Sequence, residues 1–143
     1  MNGAIVGDII GSRFERNNHK DTDFDLFNRK CRFTDDTVLT IAIADALINQ
    51  KRYSDTVKRY ARGYPLAGYG GTFKKWMRGE IDGPYNSWGN GSAMRVSPIG
   101  WWFAKLETVL REAKASAVIT HNHPEGVKGA QAVAAAVWHA RKG

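Results

Sequence analysis

The chain has 143 residues, a length that allows one domain with a single hydrophobic core. No apolar stretch is long enough to span a membrane, and the N-terminus lacks the pattern of a signal peptide. The single cysteine, Cys31, excludes an internal disulfide framework and a cysteine-rich zinc site. We therefore expect one domain over residues 1–143 in a reducing, cytoplasmic setting.

The net charge of +7 is concentrated in residues 51–78, where eight basic residues accompany one acid, Asp55. Aromatic residues are interleaved with these charges, namely Tyr53, Tyr60, Tyr64, Tyr69, Phe73 and Trp76. Basic residues mixed with aromatics can bind nucleic acid through phosphate contacts and base stacking. A solvated helical face with its aromatics turned inward gives the same pattern, and we favour that interpretation. The positive field would also attract an anionic ligand.

The hydrophobic pattern is helical almost throughout and predicts an all-α fold. The first helix covers residues 2–13, and its glycines Gly7 and Gly11 predict close packing of another backbone, because glycine otherwise costs helix stability. A polar loop over 16–32 leads to a second helix, which begins after Thr34 and runs to about Asn49. The remaining predicted helical segments are 54–63, with Ser54 as N-cap, then 73–77, about 106–118 and about 124–141.

The helices predicted at 34–49 and 124–141 are apolar nearly all round. A helix without a polar face is expected inside a larger body. Nothing follows the last helix to cover its second face. We therefore expect either a C-terminal half that this chain lacks or self-association with a second copy.

The segment Phe33–Thr37 places a hydroxyl beside two carboxylates, those of Asp35 and Asp36. Such oxygen ligands are the ones that Mg²⁺ and Mn²⁺ prefer. The same residues are also typical of an ordinary helix start, with Thr34 as N-cap and acids in the first turn. This motif alone leaves both interpretations open.

Three further motifs accompany it: Gly7–Glu15 (GDIIGSRFE), Ser87–Arg95 (SWGNGSAMR) and Thr120–Glu125 (THNHPE). Together and in this order, the four motifs resemble the ADP-ribosylglycohydrolase family, whose members remove ADP-ribose from modified side chains or small molecules. The resemblance covers nearly the whole chain and implies an all-α helical bundle. The family's second acidic motif, of the Asp-x-Asp-Thr type, is absent. The chain thus resembles the N-terminal part of such a domain, truncated at the C-terminus.

The resemblance implies metal-dependent hydrolysis of the glycosidic bond between ADP-ribose and an acceptor. It places Thr34, Asp35 and Asp36 as ligands of Mg²⁺ or Mn²⁺, and Glu15 beside them in the catalytic centre. Glu15 would orient or deprotonate the attacking water, or help to hold a metal. The family's binuclear centre takes its other ligands from the missing motif, so we expect at most one weakly held ion here. Asp8 either shares a helix face with Glu15 or packs against the helix after Thr34.

The glycine-rich segment Ser87–Arg95 is predicted to bind ADP-ribose, because glycines let backbone N–H groups approach a diphosphate. Trp88 would stack on adenine or flank the ribose, and Arg95 would face the phosphates or brace the loop. His121 matches the family's Thr-His pair and would contact the diphosphate. The predicted substrate-binding residues are Ser87, Trp88, Gly89, Asn90, Gly91, Ser92, Met94 and His121.

Two other functions remain open alongside hydrolysis. One is an ADP-ribose-binding module that lacks turnover because its metal centre is incomplete. The less favoured one is a basic nucleic-acid-associated protein that uses residues 51–78. The residues do not choose among acceptors such as arginine, serine or a small molecule.

Overall fold

The computed structural model describes residues 2–143, and over that range it contains helices and no strand. The all-α prediction is therefore confirmed. The α-helices are α1 (Asn2–Gly11), α2 (Asp35–Ile48), α3 (Tyr53–Gly63), α4 (Gly71–Arg78), α5 (Ser97–Trp102), α6 (Leu106–Ala117) and α7 (Pro124–Ala140). Two short 3-10 helices, Ser12–Phe14 and Asn90–Ser92, lie beside the segments that carry the sequence motifs.

Helix α2 lies at the centre of the fold, packed against α1, α3 and α5. Its apolar residues are buried on several sides, with Leu39 and Ile43 almost completely so. The neighbours on several sides explain why this helix lacks a polar stripe. Thr34 is its N-cap, and its side chain accepts a hydrogen bond from the Asp36 N–H at 3.3 Å.

Helices α6 and α7 form a second packed pair, and α5 lies against α7. Small side chains fill the α6–α7 contact, since Ala113, Ala117, Ala130 and Ala134 are fully buried. A Cβ added to Gly100 in α5 would lie 2.6 Å from the Ala134 carbonyl oxygen, so only glycine fits there. Helix α5 was not predicted from the sequence, because it is six residues long and contains a proline and this glycine.

Two local predictions were wrong. Helix α3 begins after Arg52 and has no side-chain N-cap, and the Ser54 hydroxyl instead donates to the Asp55 carboxylate at 3.1 Å. A Cβ added to Gly7 or Gly11 would meet no atom within 4 Å, so these glycines do not mark close packing of another backbone. Helix α1 contributes no fully buried residue, and one side of it stays open to solvent.

The aromatic residues of the basic segment mostly face the core. Tyr69, Phe73 and Trp76 are buried, whereas Tyr64 remains half exposed. Several cations pair with nearby acids, as Lys51 does with Asp45 at 3.5 Å. The solvated-face interpretation is therefore confirmed for the buried aromatics, which are unavailable for base stacking. In residues 2–143, no helix combines the length and the apolar character needed to cross a membrane.

Candidate functional site

A cavity of about 510 Å³ lies where α2, the start of α4, the glycine-rich loop and the segment before α7 meet. This volume is in the usual range for sites that bind small molecules. Its lining residues are Asp35, Leu39, Gly70, Gly71, Thr72, Phe73, Tyr85, Asn86, Ser87, Trp88, Gly89, Asn90, Gly91, Met94, Arg95 and His121. The structure therefore brings parts of three of the four sequence motifs to one cavity.

The fourth motif contributes Asp8, which fixes the first turn of α2. Its carboxylate accepts hydrogen bonds from the N–H and hydroxyl of Thr34 at 2.8 and 2.6 Å, and from those of Thr37 at 3.1 and 2.5 Å. Both carboxylate oxygens are used in these bonds. Of the two alternatives that the sequence left open for Asp8, packing against α2 is the one observed.

Asp35 and Asp36 occupy that first turn, and Asp35 faces the cavity. Burial raises the pKa of Asp35 to about 6, and the neighbouring Asp36 carboxylate adds to the rise, with smaller contributions from Glu15 and Asp8. The pKa of Asp36 is also raised, mainly by burial and then by the charges of Asp8 and Glu15. Of these four carboxylates, Asp35 is the one that lines the cavity, and the charges of the others act on it. We call Asp35 and these three neighbouring acids the acidic end, where like charges repel one another.

Glu15 belongs to this acidic end although it lies outside the helix that carries Asp8. Helix α1 stops at Gly11, and Glu15 follows the 3-10 helix Ser12–Phe14 in an exposed position. The continuous helix that would place Asp8 and Glu15 on one face is therefore interrupted. The charge of Glu15 nevertheless acts on both Asp35 and Asp36.

The oxygen donors at the acidic end fit a hard divalent cation by their chemistry. In the range 2–143, however, no three His, Cys, Asp or Glu side chains are arranged to hold one ion. The Thr34 hydroxyl already donates to Asp8 and accepts from the Asp36 N–H. The residues present therefore fit part of a metal site, and solvent or other groups would have to complete the coordination.

The opposite end of the cavity, the loop end, is formed by residues 87–91 with Arg95 and His121. Trp88 stands at the rim with 75% of its surface exposed. Ser92 was predicted to bind substrate, but it does not line the cavity. It is buried, and its hydroxyl donates to the Gly126 carbonyl at 2.7 Å. That bond instead ties the end of the loop to α7.

Arg95 is completely buried behind the loop and lines the cavity. One guanidinium nitrogen donates to the Ser116 carbonyl at 2.8 Å and to the Thr120 hydroxyl at 3.0 Å. Its Nε and other terminal nitrogen are buried and have no partner among residues 2–143. Burial lowers the pKa of Arg95 to about 10, so the guanidinium remains charged at neutral pH.

His121 is buried beside Arg95, and its Nδ1 lies 2.7 Å from the Thr120 hydroxyl. Burial and then the positive charge of Arg95 lower the pKa of His121 to about 4. The imidazole is therefore neutral at physiological pH. His123, by contrast, is the N-cap of α7, where its ring accepts a hydrogen bond from the Glu125 N–H.

Sequence reasoning missed the wall formed by the start of α4. The Asp35 N–H donates to the Ala67 carbonyl at 2.8 Å, which fixes this turn to α2. Gly68 adopts φ +116°, and a Cβ there would lie 3.1 Å from a carboxylate oxygen of Asp35. The adjacent pair Gly70-Gly71 was the available signal, but it reads in sequence only as a turn.

Comparisons with known proteins identify the family of this chain. A family model described as ADP-ribosylglycohydrolase matches residues 1–143. The chain is similar to the ADP-ribosylhydrolase ARH3 of Xenopus tropicalis, with 28% identity over 99% of this chain and 49% of that protein. It is also similar to ARH3 of Homo sapiens (29% identity; 99% of this chain, 48% of that protein) and of Gallus gallus (33%; 78% and 35%). The chain spans about half the length or less of these hydrolases, and it belongs to the ADP-ribosylglycohydrolase family.

Proposed function

We propose that this chain binds ADP-ribose and contributes to hydrolysis of the glycosidic bond between ADP-ribose and an acceptor. The observation that carries the proposal is the cavity itself, which has the Asp35 carboxylate, with other acids close to it, at one end and the buried Arg95 guanidinium at the other. ADP-ribose has matching chemistry, with an anionic diphosphate between two riboses. Family membership and the names of the relatives support the same reaction.

The diphosphate would bind at the loop end. Backbone N–H groups of the glycine-rich loop can approach phosphate oxygens closely. The two guanidinium nitrogens of Arg95 that have no partner among residues 2–143 are buried beside the cavity, and an anion or an ordered water there would relieve their desolvation cost. Trp88 at the rim offers an aromatic face for the adenine.

The ribose that carries the acceptor would then reach the acidic end. Cleavage of its glycosidic bond passes through an oxocarbenium-like transition state, which nearby carboxylates stabilise. Glu15 is exposed to solvent and would orient or deprotonate the attacking water. Thr34, Asp35 and Asp36 would hold a Mg²⁺ or Mn²⁺ ion, which when bound polarises the oxygens it coordinates.

A second candidate function is binding of ADP-ribose without hydrolysis. The observation that favours it is the lack, in residues 2–143, of any group of three acidic, histidine or cysteine side chains able to hold an ion. In that case the loop end would work alone. The nucleic-acid function has no such support, because the buried aromatics of residues 51–78 cannot stack on bases.

Calorimetry with ADP-ribose, together with its release from arginine- and serine-linked substrates, tests both candidates. We expect binding, and release that requires Mn²⁺ or Mg²⁺ and stops with a chelator. Glu15→Gln should abolish release and leave ADP-ribose affinity within a few-fold. Glu107→Gln, an exposed change in α6 at a residue that does not line the cavity, is the matched control.

Melting curves with and without Mn²⁺ test the ligand assignment separately. Asp35→Ala or Asp36→Ala should abolish any stabilisation by the ion, and an unchanged shift would contradict the assignment. Binding of ADP-ribose without release, in folded protein, would support the second candidate. If folded protein neither binds ADP-ribose nor releases it from the substrates, both candidates are contradicted.

A further inference from the structure

A chain of hydrogen bonds runs behind the loop end from Arg95 through Thr120 to His121. Arg95 donates to the Thr120 hydroxyl at 3.0 Å, and that hydroxyl lies 2.7 Å from Nδ1 of His121. All three residues are buried, and Arg95 is further fixed by its bond to the Ser116 carbonyl. The geometry of these hydrogen bonds determines which nitrogen of the His121 imidazole carries the proton.

The direction of each bond follows from which groups have hydrogens to donate. A guanidinium has no acceptor, so Arg95 must donate to Thr120. The threonine hydroxyl has one hydrogen to donate. Among residues 2–143, its nearest side-chain hydrogen-bond partner is Nδ1 of His121, at 2.7 Å. When Thr120 donates to Nδ1, the proton of the neutral imidazole must lie on Nε2.

The Nε2 edge of His121 faces the glycine-rich loop and the cavity. A Cβ added to Gly91 would lie 3.0 Å from Nε2, and one added to Gly89 would lie 4.0 Å from it. Within the part of the chain that the structure describes, Nε2 forms no hydrogen bond, whereas Nδ1 is engaged by Thr120. The free nitrogen is therefore the one available to a ligand.

We propose that Arg95 and Thr120 are positioning residues that hold His121 in its Nε2–H tautomer, so that this N–H donates to an anionic oxygen of the bound ligand. The identity of that oxygen rests on the proposed function, in which it belongs to the diphosphate of ADP-ribose. A neutral donor is useful here, because a second cation beside buried Arg95 would add charge repulsion. The Nδ1–H tautomer would instead present a lone pair to the phosphate and repel it.

Long-range ¹H–¹⁵N spectra of the histidine rings, recorded on the whole chain without ligand, measure the tautomer directly. We expect His121 to show the Nε2–H pattern at pH 7. Its signals can be assigned by their loss in His121→Gln, because the chain has four histidines. An Nδ1–H pattern or a doubly protonated ring in the wild-type chain would overturn the proposal.

Thr120→Val removes the hydroxyl and nearly conserves the volume, so it should mix the tautomers or favour Nδ1–H. Thr120→Ser keeps the hydroxyl and should retain the wild-type pattern. Tyr85 lies beside Thr120, because its N–H donates to the Thr120 carbonyl at 3.4 Å, and Tyr85→Phe tests whether its phenol competes for the Thr120 hydroxyl. We expect Tyr85→Phe to leave the tautomer unchanged. An unchanged tautomer in folded Thr120→Val would also overturn the proposal; if that variant does not fold, the wild-type and Thr120→Ser spectra decide.

Calorimetry with ADP-ribose separates this inference from the proposed function. Thr120→Val should lose roughly two- to tenfold in affinity, because affinity falls with the fraction of the competent tautomer, and Thr120→Ser should recover it. An Nε2–H tautomer in a chain that does not bind ADP-ribose would contradict the proposed function and leave the tautomer assignment standing. Tight ADP-ribose binding with His121 in the Nδ1–H tautomer would contradict the tautomer assignment and leave the proposed function standing.

Discussion

The acidic end and the loop end of the cavity balance buried charge in different ways. At the acidic end, burial and neighbouring carboxylates raise the pKa values of Asp35 and Asp36. At the loop end, burial lowers the pKa values of Arg95 and His121, and a hydrogen-bond chain joins the two residues. The loop end is therefore held in place by hydrogen bonds within this chain, while two guanidinium nitrogens of Arg95 have no partner among residues 2–143. The acidic end retains repulsion that a cation would relieve.

This difference indicates a division of labour between the two ends. A site that is organised before its ligand arrives loses less free energy on binding. Carboxylates held together against their repulsion are instead typical of groups kept for chemistry or for a metal. Under the proposed function, binding would depend mostly on the loop end and turnover on the acidic end.

The largest effect is expected from Asp8→Ala, which breaks the support of the acidic end. Asp8 accepts four hydrogen bonds from Thr34 and Thr37, and its removal leaves buried donors unpaired. We expect a loss of about 3 kcal/mol in the free energy of unfolding, measured with urea. The control is Asp21→Ala, because Asp21 is exposed and bonds only to neighbouring N–H groups. A loss below about 1 kcal/mol would show that Asp8 does not support α2.

A smaller effect is expected from Gly126→Ala, which disturbs the loop end. The added Cβ would lie 2.7 Å from the Ser87 carbonyl oxygen and 3.1 Å from Cβ of His121. We expect a loss of about 1–3 kcal/mol in stability and weaker ADP-ribose binding. Gly129→Ala lies in the same helix with no atom nearer than 4.0 Å, and it should be neutral or slightly stabilising. Equal binding by both variants would argue against a preorganised loop end.

A third effect is a difference in the pH dependence of stability, and it contrasts the two ends directly. The pKa of Asp35 is raised from 3.8 to about 6, so its ionisation makes the folded state less stable as pH rises across that interval. The pKa of His121 is lowered from 6.5 to about 4, so its contribution to the stability of the folded state increases as pH rises across nearly the same interval. The two contributions oppose each other in the wild-type chain.

Single variants should separate these contributions in urea unfolding measured from pH 4 to pH 7. Relative to wild type, Asp35→Asn should gain stability as pH rises, reaching up to about 1 kcal/mol after allowance for solvent screening. His121→Gln should lose stability relative to wild type as pH rises, with a slope of at most about 1.4 kcal/mol per pH unit. Parallel profiles for the two variants would refute the opposed titration.

Sequence patterns predicted most helices because they depend on local periodicity. The predicted bounds of α1, α2, α6 and α7 lie within about two residues of those observed. Helix α5 was not predicted because it is short and contains Pro98 and Gly100, which are unfavourable in helices. The prediction of Ser54 as N-cap was wrong because α3 begins after Arg52, whose side chain forms no cap. Gly7 and Gly11 suggested close packing of another backbone, but no atom lies within 4 Å of a Cβ added at either position. The distance to neighbouring elements depends on the tertiary packing, which the sequence pattern does not give.

Within the site, the motif residues converged but their partners could not be read from spacing. The bond from Thr34 to Asp8 spans 26 positions, and that from Arg95 to Thr120 spans 25. Such pairs depend on how whole helices pack. For the same reason Ser92 was placed in the cavity, whereas its hydroxyl belongs to the contact with α7.

The position of Trp88 has a practical consequence for experiments on this chain. Of its five tryptophans, Trp88 is the one that lines the cavity, and with 75% of its surface exposed it is also the most exposed. Trp101 and Trp102 are about half exposed, Trp138 is partly buried and Trp76 is buried. An exposed indole emits at long wavelength, and stacking on a nucleobase quenches that emission. The unmodified chain therefore carries its own optical probe, and the other tryptophans supply a constant background against which occupancy of the cavity can be followed.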